Sequence, residues 1–279
     1  MSYHLKPPSK ARSLKRFGQH FLASPAIARR IVEAAGIAPD DAVLEIGPGR
    51  GMLTDLLAER AGYLVAVELD RNLARDLAVR YHRHTKVRII QGDFLKIDWQ
   101  FLGLAQDRGS IAVGNLPYNV AVPILEKLLE RARMFKRMVI MVQREVAERM
   151  AAGPGNREYG ALSVFVQSQA RILRLFDVRP GSFLPPPKVM STVVELRPLA
   201  APLVPEAEAD KFYGLVRACF SYRRKTLGAC LKHVLDGRGT AEARSGLKGI
   251  DLGRRAEQLG IDEFLTLYRE LTAVEKQTC

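Results

Sequence analysis

The chain has 279 residues, an ordinary 47% apolar share, and a formal charge of +13 from 43 Lys and Arg against 30 Asp and Glu. No apolar run reaches the ~18 residues of a membrane span, no apolar stretch follows the basic N-terminus as a secretory leader requires, and Cys219, Cys230 and Cys279 lack ligand-like spacing. These features exclude a membrane-spanning or disulfide-built protein, and they predict a reduced, cytoplasmic one without a metal site, whose charge calls for a polyanionic partner such as nucleic acid.

Residues 1–16 carry Lys6, Lys10, Arg12, Lys15 and Arg16 among Pro and Ser and read as a basic arm suited to phosphates. R-F-G-Q-H-F-L follows from Arg16 to Leu22. Gly18 there permits close backbone approach, and His20 offers a hydrogen-bonding ring. Ser24-Pro25 is a helix start, with Ile27, Ile31 and Val32 on one apolar face.

Val43–Ile46 reads as a buried strand, Gly47-Pro48-Gly49-Arg50-Gly51 as a loop, and Met52–Glu59 as a helix. Strand, glycine loop and helix make the first unit of a doubly wound α/β fold. The glycines stand closer together than in a dinucleotide fingerprint. Such a tight loop suits an uncharged or zwitterionic group better than a pyrophosphate. Leu64–Val67 is the second strand, with Glu68 at its end and Asp70 just beyond. Glu68 lies about 20 residues past the loop, where an acidic side chain accepts hydrogen bonds from ribose hydroxyls. Asp70 is the lesser candidate, as a cap for a helix starting near Arg71. Val87–Ile90 is the third strand. Asp93 follows it as a candidate acceptor for an adenine amine, with Phe94 or Leu95 beside the ring.

Ile111–Val113 is a fourth strand, ending in G-N-L-P-Y-N. Pro117 fixes its own φ and extends Leu116, so one rigid turn aims an amide, a carbonyl and an aromatic ring into one volume. With no Ser, Cys, His or carboxylate among them, Asn115, Leu116 and Tyr118 suit a flat base with an amine at its edge rather than acyl transfer. The plainer alternative is a strand-to-helix turn with Asn119 as N-cap. Gly47, Glu68, Asp93 and Asn115 all fall at the carboxyl ends of successive parallel strands, the ligand-binding edge of such sheets.

Met138–Val142 is a fifth strand, leading into a helix that ends near Gly153. Tyr159–Gln169 mixes signals and leans to helix. Ile172–Val178 and Ser191–Leu196 read as an antiparallel edge pair. Between them F-L-P-P-P-K-V is a stiff loop presenting Phe183 as a second aromatic wall. Residues 198–205 read as a linker. Beyond it short helices carry F-S-Y-R-R-K-T-L, a basic patch and second nucleic-acid contact at Arg223, Arg224 and Lys225.

Taken together, R-F-G-Q-H-F-L, L-E-I-G-P-G-R-G, V-E-L-D, Q-G-D-F, V-G-N-L-P-Y-N, F-L-P-P-P-K-V and F-S-Y-R-R-K-T-L resemble the ribosomal RNA adenine dimethyltransferases. The likeness runs from about Arg16 to the C-terminal part. It implies an α/β fold, a Rossmann-like class I methyltransferase with a mostly parallel seven-stranded sheet, over residues 17–199, followed by a helical RNA-binding domain over 200–279. It implies S-adenosylmethionine as methyl donor, contacted by His20, Leu22, Gly47, Glu68, Asp93 and Asn115, although the family often has Asn where His20 stands. The expected partner is small-subunit rRNA or the immature small ribosomal subunit, met by a monomer. Asn115 and Leu116 would then hold the amine, with Tyr118 and Phe183 stacked on the flipped base. A large-subunit rRNA methyltransferase and a non-catalytic RNA-binding factor on the same fold are the rival readings. A dinucleotide oxidoreductase is disfavoured by the glycine spacing.

Overall fold

The computed structural model describes residues 20–104, 109–234 and 249–278. The basic arm and the start of R-F-G-Q-H-F-L lie outside the described residues.

A short strand β1 (Phe21–Leu22) precedes helix α1 (Pro25–Ala35). Ser24 caps α1 by accepting from the Ile27 N–H at 3.4 Å, and Pro25 enters the first turn, where no donor is missed. Then come β2 (Ala42–Ile46), α2 (Met52–Arg60), β3 (Tyr63–Glu68), α3 (Arg71–Tyr81), β4 (Val87–Gln91) and β5 (Ser110–Asn115). Asp70 caps α3, accepting from the Asn72 and Leu73 N–H groups. The chain continues through α4 (Ala121–Glu130), β6 (Phe135–Gln143), α5 (Arg144–Ala151), α6 (Ala161–Gln167), β7 (Ala170–Val178), β8 (Phe183–Leu184) and β9 (Ser191–Pro198). Among the described residues, helices α7 (Ala209–Ser221), α8 (Leu227–Val234) and α9 (Ile261–Thr278) follow.

The sheet has seven strands in the order β4-β3-β2-β5-β6-β9-β7. The first five are mutually parallel, and β9 and β7 run antiparallel to their neighbours. The buried, β-branched composition of β2, β3 and β5 fits strands covered on both faces. Register decides what meets at the rim. Ile46 pairs with Val67 and with Gly114, and Glu68 pairs with Gln91. The residues that follow Ile46, Val67, Gln91 and Gly114 therefore emerge side by side. Gly114 is needed there, because a Cβ would stand 2.9 Å from the Ile46 carbonyl oxygen.

The two sheet faces carry separate cores. Helices α1 and α2 cover one face through Ile31, Val32 and Leu57. Helices α4, α5 and α6 cover the other, and that core runs without a break into Phe212, Leu231 and Phe264 of the C-terminal helices. The expected boundary near residue 200 thus separates segments of chain but not two cores. The expected linker is fastened as well: the Leu203 N–H donates to the Ser168 carbonyl at 2.9 Å, and Val204 is buried. Across the junction the Tyr159 hydroxyl donates to the Leu259 carbonyl at 2.9 Å. The helix expected over 159–169 is α6. Asn119 is not a cap, since Val120 takes that position before α4 without a side-chain bond.

Candidate active site

The glycine loop follows β2. Gly47, Gly49 and Gly51 have φ of 68°, 60° and 88°, values that L side chains adopt only under strain. At Gly49 space is also short: a Cβ would meet the Phe21 ring at 2.8 Å. At Gly47 it would stand 3.9 Å from the Asn115 carbonyl oxygen, inside the cleft the loop borders.

Glu68 closes β3 and is buried. Its Oε2 accepts from the Gly49 N–H at 2.9 Å and its Oε1 from the Asp70 N–H at 2.8 Å. Burial raises its pKa above the usual carboxylate value, and these two N–H groups work against that rise. One carboxylate thus joins the glycine loop to the turn after β3 and keeps further lone pairs for a ligand. Asp93 sits in the turn after β4. Its Oδ1 accepts from the Leu95 N–H at 3.1 Å, and the Lys96 ammonium lies 3.9 Å from Oδ2.

Asn115 ends β5. Its Nδ2 donates to the His20 carbonyl at 3.0 Å. An amide that spends its N–H on a carbonyl offers its oxygen as an acceptor. The Leu116 N–H donates to the Met141 carbonyl at 3.0 Å, extending the β5–β6 ladder and fixing the Asn115–Leu116 peptide, and Pro117 restricts the backbone just beyond the Leu116 carbonyl. The Tyr118 hydroxyl and Ser191 Oγ are 2.6 Å apart, and the Tyr118 ring stacks on His20 at 5.4 Å and 29°. Burial raises the Tyr118 pKa, so the phenol stays neutral at ordinary pH. His20 Nδ1 lies 2.8 Å from the Pro185 carbonyl, to which it donates.

These groups surround one cavity of about 180 Å³. His20, Gly47, Glu68, Asp93, Asn115, Leu116 and Tyr118 all border it. Leu22 and Phe183 do not. They are paired partners across β1 and β8, and both are buried in the core beneath α1. The expected second aromatic wall at Phe183 is therefore corrected: Phe183 anchors its loop. Strand alternation gives the reason. Phe21, one residue before Leu22, faces the other way and borders the cavity, with Arg50 at 4.9 Å over its ring. Two-residue periodicity in H-F-L was the available signal for Phe21. Phe94 and Leu95 both line the wall beside Asp93, and half-exposed Leu69 lines it beside Glu68.

In the C-terminal basic patch, Arg224 and Lys225 are exposed. Arg223 differs from them. Its Nε donates to Glu257 Oε2 at 2.7 Å and its Nη2 to the Arg157 carbonyl, so it ties the turn after α7 to the body. Among the described residues no His, Cys, Asp and Glu cluster is placed to hold a metal ion, and no helix is long and apolar enough to cross a membrane.

Residues 10–273 match a family described as "Ribosomal RNA adenine dimethylase". The ribosomal RNA small subunit methyltransferase A of Geobacter metallireducens is 43% identical over 268 residues, covering 94% of this chain and 97% of that protein. Its counterpart from Aromatoleum aromaticum is 42% identical, covering 95% and 96%. Among solved structures, a dimethyladenosine transferase from Plasmodium falciparum superimposes with a TM-score of 0.80 at 29% identity, covering 92% of this chain and 98% of that one. The 23S rRNA methyltransferase ErmE gives 0.66 at 27% identity, covering 90% and 99%.

Proposed function

The chain belongs to the ribosomal RNA adenine dimethylase family, and from that premise we propose that it dimethylates the N6 amines of two adjacent adenosines near the 3′ end of small-subunit rRNA, with S-adenosylmethionine as donor. The work is cytoplasmic, on the RNA of the assembling small subunit. The small-subunit reading is supported by relatives of that name at 42–43% identity over nearly the whole chain. The large-subunit enzyme ErmE is a weaker likeness.

The residues present suit the donor. Positive-φ glycines leave a cradle that a Cβ at Gly47 would begin to fill. Glu68 and Asp93 offer carboxylate acceptors for ribose hydroxyls and for an adenine amine, and Phe94 and Leu95 give apolar walls. S-adenosylmethionine supplies the electrophilic methyl group.

The single observation that carries the mechanism is the Asn115 amide, held by its own N–H on the His20 carbonyl so that its oxygen is left to accept. An adenine N6 is a weak nucleophile because its lone pair is shared with the ring. It is already neutral at pH 7, so no strong base is required. Asn115 Oδ1 and the Leu116 carbonyl accept its two hydrogens and turn the lone pair out of the ring plane. Tyr118 stacks on the extracted base. Rate then arises from alignment and preorganised dipoles. The proton released after each transfer passes to water. A monomethylated amine keeps one hydrogen for the same acceptors, which allows the second transfer.

The test is labelled methyl transfer to separated small- and large-subunit RNA precursors, followed by nucleoside analysis. N6,N6-dimethyladenosine in the small-subunit RNA alone is expected. Label confined to the large-subunit RNA, or no label in either, overturns the proposal.

A further inference from the structure

Leu184 is an apolar side chain left 53% exposed where the backbone is fastened on both sides of it, and Val189 further along the same loop is 45% exposed. Its backbone pairs with Phe21, and its neighbour Phe183 pairs with Leu22. The Ala23 N–H donates to the Ser182 carbonyl at 2.7 Å, and the Arg144 N–H to the Met190 carbonyl at 2.9 Å. The next carbonyl, that of Pro185, accepts from His20, whose ring lies on Tyr118 at the cavity. Pro185, Pro186 and Pro187 restrict the backbone further. Leu184 therefore stands beside Phe21 and His20, two residues that border the cavity, on a backbone that has little freedom to withdraw it. A single exposed leucine is ordinary; this one is singled out by its register opposite Phe21, which borders the cavity. Lys188, also exposed, follows four residues later.

Resting on the function proposed above, we propose that Leu184 is a wedge: it enters the gap that the extracted adenosine leaves between its neighbouring bases, while Lys188 pairs with an adjacent phosphate. Extraction loses the stacking of the target on its neighbours. Proteins that unstack base steps insert Leu, Ile, Met, Phe or Pro to cover the exposed faces. A branched apolar group on a fixed backbone, with a cation four residues further along the chain, meets both needs. The partner is the RNA strand on either side of the target.

The experiment compares Leu184→Ala, Leu184→Met and the distant surface variant Val79→Ala with the unaltered chain. The substrates are a structured small-subunit RNA fragment and an unpaired oligonucleotide of the same target sequence. A second fragment carries 2-aminopurine at the target position to report extraction by its fluorescence. Leu184→Ala is expected to lower kcat/KM on the structured fragment by about tenfold or more and to reduce the fluorescence rise. Its loss on the unpaired strand should be less than about twofold, with thermal stability and donor affinity unchanged. Leu184→Met should restore activity, and Val79→Ala should change nothing. Equal rates for Leu184→Ala and the unaltered chain on the structured fragment would overturn the wedge, as would an equal loss on both substrates. Failure of the unaltered chain to methylate any small-subunit RNA would instead refute the proposed function itself.

Discussion

Glu45 should make the protein less stable as pH rises, and Glu45→Gln should remove that liability. The residue lies on β2, two positions before Gly47, and is 1% exposed. Neither of its carboxyl oxygens has a hydrogen-bond partner, and nor does the nearby Thr54 hydroxyl. Burial pushes its pKa up to about 8; Thr54 pulls the other way without meeting hydrogen-bond geometry, and Glu68 and Asp55 raise it further. The acid is therefore mostly neutral in the folded protein at pH 7. In the unfolded chain it ionises near 4.5, the unperturbed value. Below that pH both states hold the proton and nothing is lost. Between about 4.5 and 8 the unfolded state sheds it first, so each pH unit subtracts about 1.4 kcal/mol from stability. Above 8 both states are ionised and the loss levels off. At pH 7 the deficit is about 3 kcal/mol by this arithmetic. Gln keeps the shape and cannot ionise. Thermal or urea unfolding of both proteins from pH 4.5 to 8.5 tests this, because titrations common to both cancel in the difference. Glu45→Gln should match the unaltered chain near pH 4.5 and exceed it by ~3 kcal/mol at pH 7, about 5 °C in Tm for a chain of this length. A difference that does not grow with pH, or a less stable Gln variant at pH 7, would refute the reasoning.

Other outcomes follow from the same geometry. Tyr118→Phe removes the hydroxyl contact with Ser191 but keeps the ring, so stability should fall by about 1 kcal/mol while most methyl transfer survives. Tyr118→Ala should lose about tenfold or more in kcat/KM, the effect of a lost base stack; equal rates in the two variants would remove the ring from the mechanism. Reversing charge at Arg224 and Lys225 should weaken RNA binding and flatten its dependence on salt by about 1.5 in log–log slope, as filter binding across a salt series would measure. Arg223→Ala should act differently, releasing Glu257 and lowering Tm by less than about 2 °C with a near-normal salt slope.

Much of the rim is legible in the sequence. A glycine loop between strand and helix, acidic residues at the ends of the next strands and the rigid G-N-L-P-Y-N turn are local signals, and parallel pairing turns equal positions in successive strands into neighbours in space. Sidedness was harder. Whether Leu22 or Phe21 faces the cavity depends on the pairing of β1 with β8, a contact between segments about 160 residues apart, as the Phe21–Leu184 register shows. The same pairing turns Phe183 inward. Arg223 looks like its neighbours in sequence and is set apart by Glu257 and the Arg157 carbonyl, which distant segments supply. A Pro/Ala-rich stretch at 198–205 resembles a linker because composition does not reveal that α6 and α7 share one apolar core through Phe165 and Tyr213, whose rings meet at 4.7 Å. Asn119 fails as a cap because α4 begins one residue later than the spacing suggests.

Asn115 offers the most direct measurement. Single-turnover methyl transfer by Asn115→Ala, with RNA and donor affinities determined on the same preparation, isolates the acceptor from binding. Loss of one preorganised polar contact in an active site lowers rates by about a hundredfold to a thousandfold, and the account expects at least that, with RNA affinity nearly intact. A near-normal rate in that variant would contradict it.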